Sequence, residues 1–92
     1  MAKFVIFSKT IRSVEITEPI TTLGRDKDNN IVITDPMLSR KHCLIEKDGN
    51  RLKIVDLKSA NGTYVNGVRV KSRSLQVEDR IKIGDTVIFY SE

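Results

Sequence analysis

The chain has 92 residues, of which 39% are hydrophobic and 30% are charged, and its formal net charge is +4. This composition is typical of a globular protein, and the length predicts one small domain spanning residues 1–92. The apolar runs FVIF and VIFY are far shorter than the about 20 residues of a membrane span, and no signal-peptide core is present. These short runs lead us to expect no membrane partner. Since a single cysteine cannot form an internal disulfide, we expect a cytoplasmic protein.

The basic excess is small, with 16 Lys and Arg residues against 12 Asp and Glu residues interleaved along the chain. A nucleic-acid interface usually shows a dense basic stripe, often with aromatic side chains that stack on bases. Neither pattern occurs, so we expect no nucleic-acid partner. A smaller anionic ligand is compatible with this charge balance.

Short apolar and alternating segments predict an all-β protein. In RIKI, Ile81 and Ile83 alternate with Arg80 and Lys82, which is the period of a half-buried strand, and no segment sustains a helical apolar stripe. Many short strands separated by turns favour a β-sandwich or a small barrel. In chain order, the predicted strands are 3–7, 13–17, 20–23, 30–33, 42–46, 51–57, 63–65, 68–70, 74–77, 80–83 and 86–90.

Two turns are evident from the sequence. Residues 47–50, KDGN, join two predicted strands as a hairpin, and Asn66-Gly67 has the composition of a two-residue type I′ turn. A second Asn-Gly pair, Asn61-Gly62, lies only five residues upstream, which leaves too little strand for two ordinary hairpins. Asn61 is therefore either a plain turn residue or a side chain that its loop presents.

The residues give little support for an enzyme. Ser39, His42 and Asp35 have the identities of a catalytic triad, but such short spacing on an extended chain does not build its geometry. One histidine and one cysteine do not make a zinc site, and no phosphate-binding glycine loop of a nucleotide site occurs. Cys43 follows the strand alternation and is interpreted as a core residue. We expect no enzymatic activity, no cofactor and no metal.

Three segments in order, LGRDKDNNIVITDPMLSRKHCLIE, LKSANGTYVNG and IKIGD, resemble the forkhead-associated (FHA) domain. The resemblance extends from about Leu23 to Gly84, and its Gly-Arg, Ser-x-x-His and Asn-Gly motifs are individually weak but together specific. It implies an FHA-type β-sandwich of about eleven short, mostly antiparallel strands, with ligand-binding loops at one end. It also implies a non-catalytic signalling module that binds phosphothreonine peptides.

The resemblance assigns the ligand contacts to Arg25, Ser39, Arg40 and Asn61. Phosphothreonine has close to two negative charges and three acceptor oxygens, so its receptor needs a guanidinium and neutral donors. Arg25 and Ser39 match the phosphate-binding residues, Arg40 matches a further phosphate contact, and Asn61 matches the residue that holds the peptide main chain. Considered alone, Arg25 could equally form a surface ion pair, Ser39 could be a turn residue, and Arg40 could be a solvated cation.

A second group of residues is expected to shape the loops rather than to touch the ligand. The family's histidine, here His42, connects the loops that present the arginine and the serine, and Gly24 allows a close backbone turn. Asn66-Gly67 keeps its hairpin role, while the glycine and threonine after Asn61 return the loop to the sheet. This group consists of Gly24, His42, Gly62, Thr63, Asn66 and Gly67.

The sequence departs from the family pattern at two places. Ala60 stands where members often have Thr or Ser, which removes one hydroxyl near the phosphate, and Glu78-Asp79 replaces a frequent Gly-Asp. The expected partner is a phosphothreonine-containing protein or peptide, a Ser/Thr kinase substrate, bound by a monomer. The alternative is an FHA-type interaction scaffold that does not depend on phosphorylation. The sequence does not specify which residues are preferred beside the phosphothreonine.

Overall fold

Eleven β-strands and no helix make up the computed structural model, which describes residues 1–92. None of its elements is therefore a helix that could cross a membrane. The strands are β1 (Lys3–Phe7), β2 (Ile11–Glu15), β3 (Ile20–Gly24), β4 (Ile31–Val32), β5 (Cys43–Asp48), β6 (Arg51–Asp56), β7 (Thr63–Val65), β8 (Val68–Arg69), β9 (Ser72–Leu75), β10 (Arg80–Ile83) and β11 (Thr86–Ser91).

The strands form two sheets that pack face to face. The six-stranded sheet has the order β2-β1-β11-β10-β7-β8, and the five-stranded sheet has the order β4-β3-β5-β6-β9. Every pairing is antiparallel except β3 with β4, which is parallel. The predicted all-β sandwich of about eleven short, mostly antiparallel strands is confirmed.

One apolar core of 17 buried side chains lies between the sheets. Phe4 and Ile6 of β1 and Ile81 and Ile83 of β10 point into it. For Ile81 and Ile83 this is what their alternation with Arg80 and Lys82 predicts. Cys43 is also completely buried, and burial raises the pKa of its thiol to about 12. Its place in the core agrees with the interpretation made from the sequence.

Two predicted strands are displaced along the chain. β2 begins at Ile11, two residues before the predicted segment, because its register on β1 pairs Ile11 with Phe7. β9 covers Ser72–Leu75 rather than 74–77, because the edge of β6 pairs Val55 with Ser72. Both segments are largely exposed, so side-chain alternation is weak there and backbone pairing decides the boundaries.

The Asn66-Gly67 hairpin has the predicted geometry. Asn66 and Gly67 have φ values of 51° and 84°, as a type I′ turn requires, and they connect β7 to β8. The Asn66 side chain donates from Nδ2 to Asp79 Oδ1 and accepts the backbone N–H of Arg80, both at 2.9 Å. The hairpin is thereby attached to the start of β10.

Candidate functional site

Three loops meet at one end of the sandwich: residues 25–30, the Ser39 loop (residues 33–42) and the Asn61 loop (residues 57–62). They surround a shallow depression, called here the binding concavity. All four side chains predicted to contact the ligand line it, although they are separated by up to 36 positions in sequence. Its lining residues are Arg25, Pro36, Met37, Leu38, Ser39, Arg40, Ala60 and Asn61.

Arg25 is positioned by the continuation of β3 beyond its last residue. The backbone N–H of Arg25 donates to Ser39 O and that of Asp26 donates to Arg40 O, both at 3.1 Å. The Arg25 side chain donates from Nε to Leu38 O at 3.1 Å and is otherwise exposed. Because a guanidinium has five N–H groups, this contact orients Arg25 and leaves its terminal nitrogens available to an anion.

Gly24 is required by a close approach between these two segments. A Cβ atom at this position would lie 2.2 Å from Arg40 O and 2.8 Å from Asn29 Nδ2. The Asn29 amide donates to the carbonyl oxygens of both Asp26 and Arg40 at 2.7 Å, so it fastens the Arg25 segment to the Ser39 loop. Asn29 is buried, and no pattern in the sequence predicted this role.

We expect Gly24→Ala to lower the free energy of unfolding by about 1–3 kcal/mol, because the added methyl overlaps a backbone oxygen and forces overpacking. Thermal denaturation followed by circular dichroism measures the effect. Gly49→Ala is the control, since Gly49 has open space around it and only its φ of 60° opposes the substitution. A Gly24→Ala protein with the same melting temperature as the wild type would show that the Arg25 segment and the Ser39 loop can move apart without a loss of stability.

Ser39 is held at both its backbone and its side chain. Its N–H donates to His42 Nδ1 at 3.1 Å, and its Oγ accepts the backbone N–H of Ala60 at 2.9 Å. Since the hydroxyl accepts from Ala60, its own proton remains available for donation. Ser39 therefore presents a neutral donor at a fixed position in the binding concavity.

His42 is completely buried beneath the loops and does not line the binding concavity. Its Nδ1 accepts from the Ser39 N–H, so the ring proton is on Nε2, which donates to Gly62 O at 2.8 Å. The backbone N–H of His42 donates to Leu23 O, and its carbonyl accepts from the Leu57 N–H. One imidazole thus connects the Ser39 loop to the Asn61 loop.

The Asn61 loop closes around Asp56. Asp56 Oδ1 accepts hydrogen bonds from the hydroxyls of Ser59 at 2.6 Å and Thr63 at 2.7 Å. Ser59 Oγ in turn accepts one from the backbone N–H of Gly62. Burial alone raises the pKa of Asp56, but these hydrogen bonds outweigh burial and hold the pKa below its usual value. Gly62 has a φ of 90°, which is unfavourable for residues with a Cβ atom. The roles of Asp56 and Ser59 were not predicted.

Asp35 attaches the Ser39 loop to the six-stranded sheet. Its Oδ1 accepts the Met37 N–H at 2.9 Å, while Oδ2 accepts the Asp85 N–H and the Thr86 hydroxyl at 2.8 Å. Burial raises the pKa of Asp35, and these hydrogen bonds lower it by more, so the pKa lies below its usual value. An Asp-Pro pair before a loop is a signal for such a local role, but its partners 50 residues away are not visible in sequence.

Asn61 lies exposed at the rim, at the tip of a loop rather than of a hairpin. Its Nδ2 donates to Met37 O at 2.7 Å, which fixes the amide between the two loops. The second amide hydrogen and Oδ1 remain available. The side chain therefore offers one donor and one acceptor side by side, as a peptide main chain requires.

The sequence of this chain is similar to those of known proteins. The sequence profile of the FHA domain matches residues 21–84. Among curated relatives, the glycogen accumulation regulator GarA of Mycolicibacterium smegmatis is 38% identical over 69 residues, or 75% of this chain and 44% of the relative. The oxoglutarate dehydrogenase inhibitor of Corynebacterium efficiens is also 38% identical over 75% of this chain and 49% of the relative. The chain belongs to the FHA domain family.

Solved structures agree over nearly the whole chain. The FhaA FHA domain complexed with the intracellular domain of Rv3910 has a TM-score of 0.93 and 29% identity, covering 98% of this chain and 99% of that one. Mycobacterium tuberculosis EmbR in complex with a low-affinity phosphopeptide has a TM-score of 0.91 and 30% identity. The match covers 98% of this chain and 24% of that one. The present chain spans about half the length of the curated relatives it matches.

Proposed function

We propose that this protein is a non-catalytic module that binds phosphothreonine-containing peptides. In this proposal Arg25 and Ser39 bind the phosphate, Arg40 adds positive charge beside it, and Asn61 holds the peptide backbone. The His42 side chain connects the loops that present Ser39 and Asn61. The observation that supports the proposal most strongly is the convergence of Arg25 and Ser39, from separate loops, in one concavity with unused donors.

The electrostatics of the binding concavity suit a dianion. Arg25 and Arg40 line it and no carboxylate does. Hydrogen bonds to charged groups are worth about 1.5–3 kcal/mol, and donors that are already oriented lose less entropy on binding. Because the Arg25 and Ser39 side chains are each fixed by a hydrogen bond to the protein, the site is organised before the ligand arrives.

The comparisons support a phosphorylated protein as the partner. EmbR was solved with a phosphopeptide, and FhaA was solved with the intracellular domain of another protein. A further structural neighbour, 28% identical with a TM-score of 0.94, comes from a study of phosphothreonine-dependent FHA domain interactions. We further propose that a Ser/Thr kinase creates the ligand of this protein and that the module acts as a monomer.

A phosphorylation-independent scaffold is the second candidate. Ala60 lines the binding concavity and contributes only its backbone, whose N–H is already bound to Ser39 Oγ. The site thus has one hydroxyl fewer than the family often provides. Under this hypothesis an unphosphorylated partner would bind as well as a phosphorylated one.

Threonine selectivity distinguishes these possibilities. We expect a phosphothreonine peptide to bind about four- to a hundredfold more tightly than its phosphoserine copy. The reason is that the γ-methyl enters the space between the Ser39 and Asn61 loops, and burial of a methyl is worth about 0.8–3 kcal/mol. A glutamate copy is expected to fail, since a carboxylate lacks the second charge and the third oxygen. Titration calorimetry at about 150 mM salt measures all three.

Each outcome of the peptide comparison is informative. Equal affinity for phosphothreonine and phosphoserine would reject the methyl contact and indicate a plain electrostatic site, whose binding decreases steeply with salt. An unphosphorylated threonine peptide is the control. Absence of binding across a degenerate phosphothreonine library would reject the proposed function and favour the scaffold.

A further inference from the structure

The outer face of the six-stranded sheet places two cations beside the binding concavity. Arg80 and Lys82 are two positions apart on β10 and both are exposed, while the intervening Ile81 is buried. Lys82 lies opposite Tyr64 of β7 in the sheet register. These side chains belong to strands rather than to the loops, so the sandwich itself fixes their spacing.

A groove on this face is continuous with the binding concavity. Met37 and Asn61 line both depressions, and the hydrogen bond from Asn61 Nδ2 to Met37 O forms the ridge between them. An extended ligand that contacts Asn61 can therefore pass directly from one to the other. This cationic groove is lined by Met37, Asn61, Tyr64, Gly67, Arg80, Lys82, Gly84 and Asp85.

The charges of the cationic groove are unbalanced. It has two cations, Arg80 and Lys82, against the single carboxylate of Asp85. Asp79 precedes Arg80 in sequence, but its carboxylate is buried and accepts from Asn66 Nδ2 and the Gln76 N–H. A net positive groove that adjoins a phosphate-binding site favours ligands with further negative charge.

We propose that the cationic groove binds acidic side chains of the same phosphopeptide, so that the partner has Asp or Glu close to its phosphothreonine. This inference rests on the proposed function and extends peptide recognition from the loops onto the face of β10. Asn61 and Tyr64 are three residues apart in sequence, at most about 10 Å along an extended chain. An extended peptide covers that distance in about three residues, so acidic residues within about four positions reach Lys82.

The expected selectivity is moderate because both cations are exposed. Exposed ion pairs are worth about 0.2–1 kcal/mol each, which corresponds to about 1.4- to fivefold in affinity. Two pairs therefore predict about two- to twenty-five-fold tighter binding of an acidic peptide. The preference is expected to shrink as salt increases, since these contacts are screened over about 8 Å at physiological ionic strength.

Phosphothreonine peptides that differ only in their flanks test the inference. One peptide has neutral Ser and Ala flanks, a second has Asp and Glu N-terminal to the phosphothreonine, and a third has them C-terminal to it. We expect one of the two acidic peptides to bind more tightly than the neutral one. The other should gain little, because its acidic residues lie away from the cationic groove.

Matched double variants separate the groove from the overall charge. Arg80→Gln with Lys82→Gln is expected to abolish the preference while the neutral peptide still binds. The control is Arg51→Gln with Lys53→Gln, which removes two exposed cations with the same spacing from β6 of the other sheet. Both double variants lower the net charge equally, and the control is expected to keep the wild-type preference.

The outcomes distinguish this inference from the function on which it rests. Equal binding of all three phosphopeptides by the wild type would overturn the acidic preference and leave phosphothreonine binding intact. A preference lost equally in both double variants would also overturn it, because the cause would then be net charge. If none of the phosphopeptides binds, the proposed function fails and this inference fails with it. The single variants Arg80→Gln and Lys82→Gln give the same tests if a double variant does not fold.

Discussion

Arg25→Ala is expected to weaken phosphopeptide binding about ten- to a hundredfold while the domain remains folded. The loss corresponds to a charge-assisted hydrogen bond of about 1.5–3 kcal/mol between the guanidinium and the phosphate. Stability should change little, because Arg25 is exposed and makes one side-chain hydrogen bond, to Leu38 O. Titration calorimetry with a phosphothreonine peptide measures the affinity, and thermal denaturation measures the stability.

Two further variants sharpen the Arg25 experiment. Arg25→Lys keeps the charge but is expected to bind poorly as well, because an ammonium group does not reproduce the planar fork of a guanidinium. Arg51→Ala removes an exposed cation from β6 and should bind as the wild type does. An Arg25→Ala protein that binds within twofold of the wild type would show that the phosphate lies elsewhere.

His42→Ala is expected to lower the free energy of unfolding by about 2–4 kcal/mol. The substitution leaves a cavity under the loops and removes the partners of the Ser39 N–H and the Gly62 carbonyl. For a domain of this size each kcal/mol shifts the melting temperature by about 4–8 °C, so a decrease of about 8–32 °C is expected. Binding should weaken as a consequence, because the two loops are no longer connected.

Lys41→Ala is the control for the histidine experiment. Lys41 is adjacent in sequence but exposed, so its removal should leave the melting temperature almost unchanged. If His42→Ala kept the wild-type melting temperature but lost phosphopeptide binding, His42 would be a ligand contact and its structural role would be wrong. Hydrogen exchange at the Ser39 and Gly62 amides would report the same loosening locally.

The strands and the turns could be predicted from the sequence because their signals are local. Alternation of Ile81 and Ile83 with charged neighbours reflects the pleat of a strand packed on one face, and Asn66-Gly67 tolerates the positive φ of a tight turn. Where this signal is weak, as in the exposed β2 and β9, the predicted limits were displaced. The sequence therefore determined the elements best where burial constrains them.

The resemblance to the FHA family identified four of the residues that line the binding concavity, Arg25, Ser39, Arg40 and Asn61, but not what holds them there. Asn29, Asp35 and Asp56 fasten the loops through hydrogen bonds to backbone or side-chain groups that lie as far as 51 positions away. In sequence each is an ordinary polar residue of a turn or strand end. Their roles depend on which carbonyl, amide or hydroxyl the fold brings near them, which local patterns do not encode.

The tertiary structure alone decided how the candidate site continues onto the sheet. The sequence showed that Arg80 and Lys82 share one face of a strand, which follows from the period of two. It did not show that this face adjoins Asn61, because β10 and β7 become neighbours only through sheet pairing. Local periodicity determines the face of the sheet on which a side chain lies. Long-range strand pairing determines which other residues lie next to it. The motif residues could thus be identified from the sequence, whereas the cationic groove next to them could be identified only from the fold.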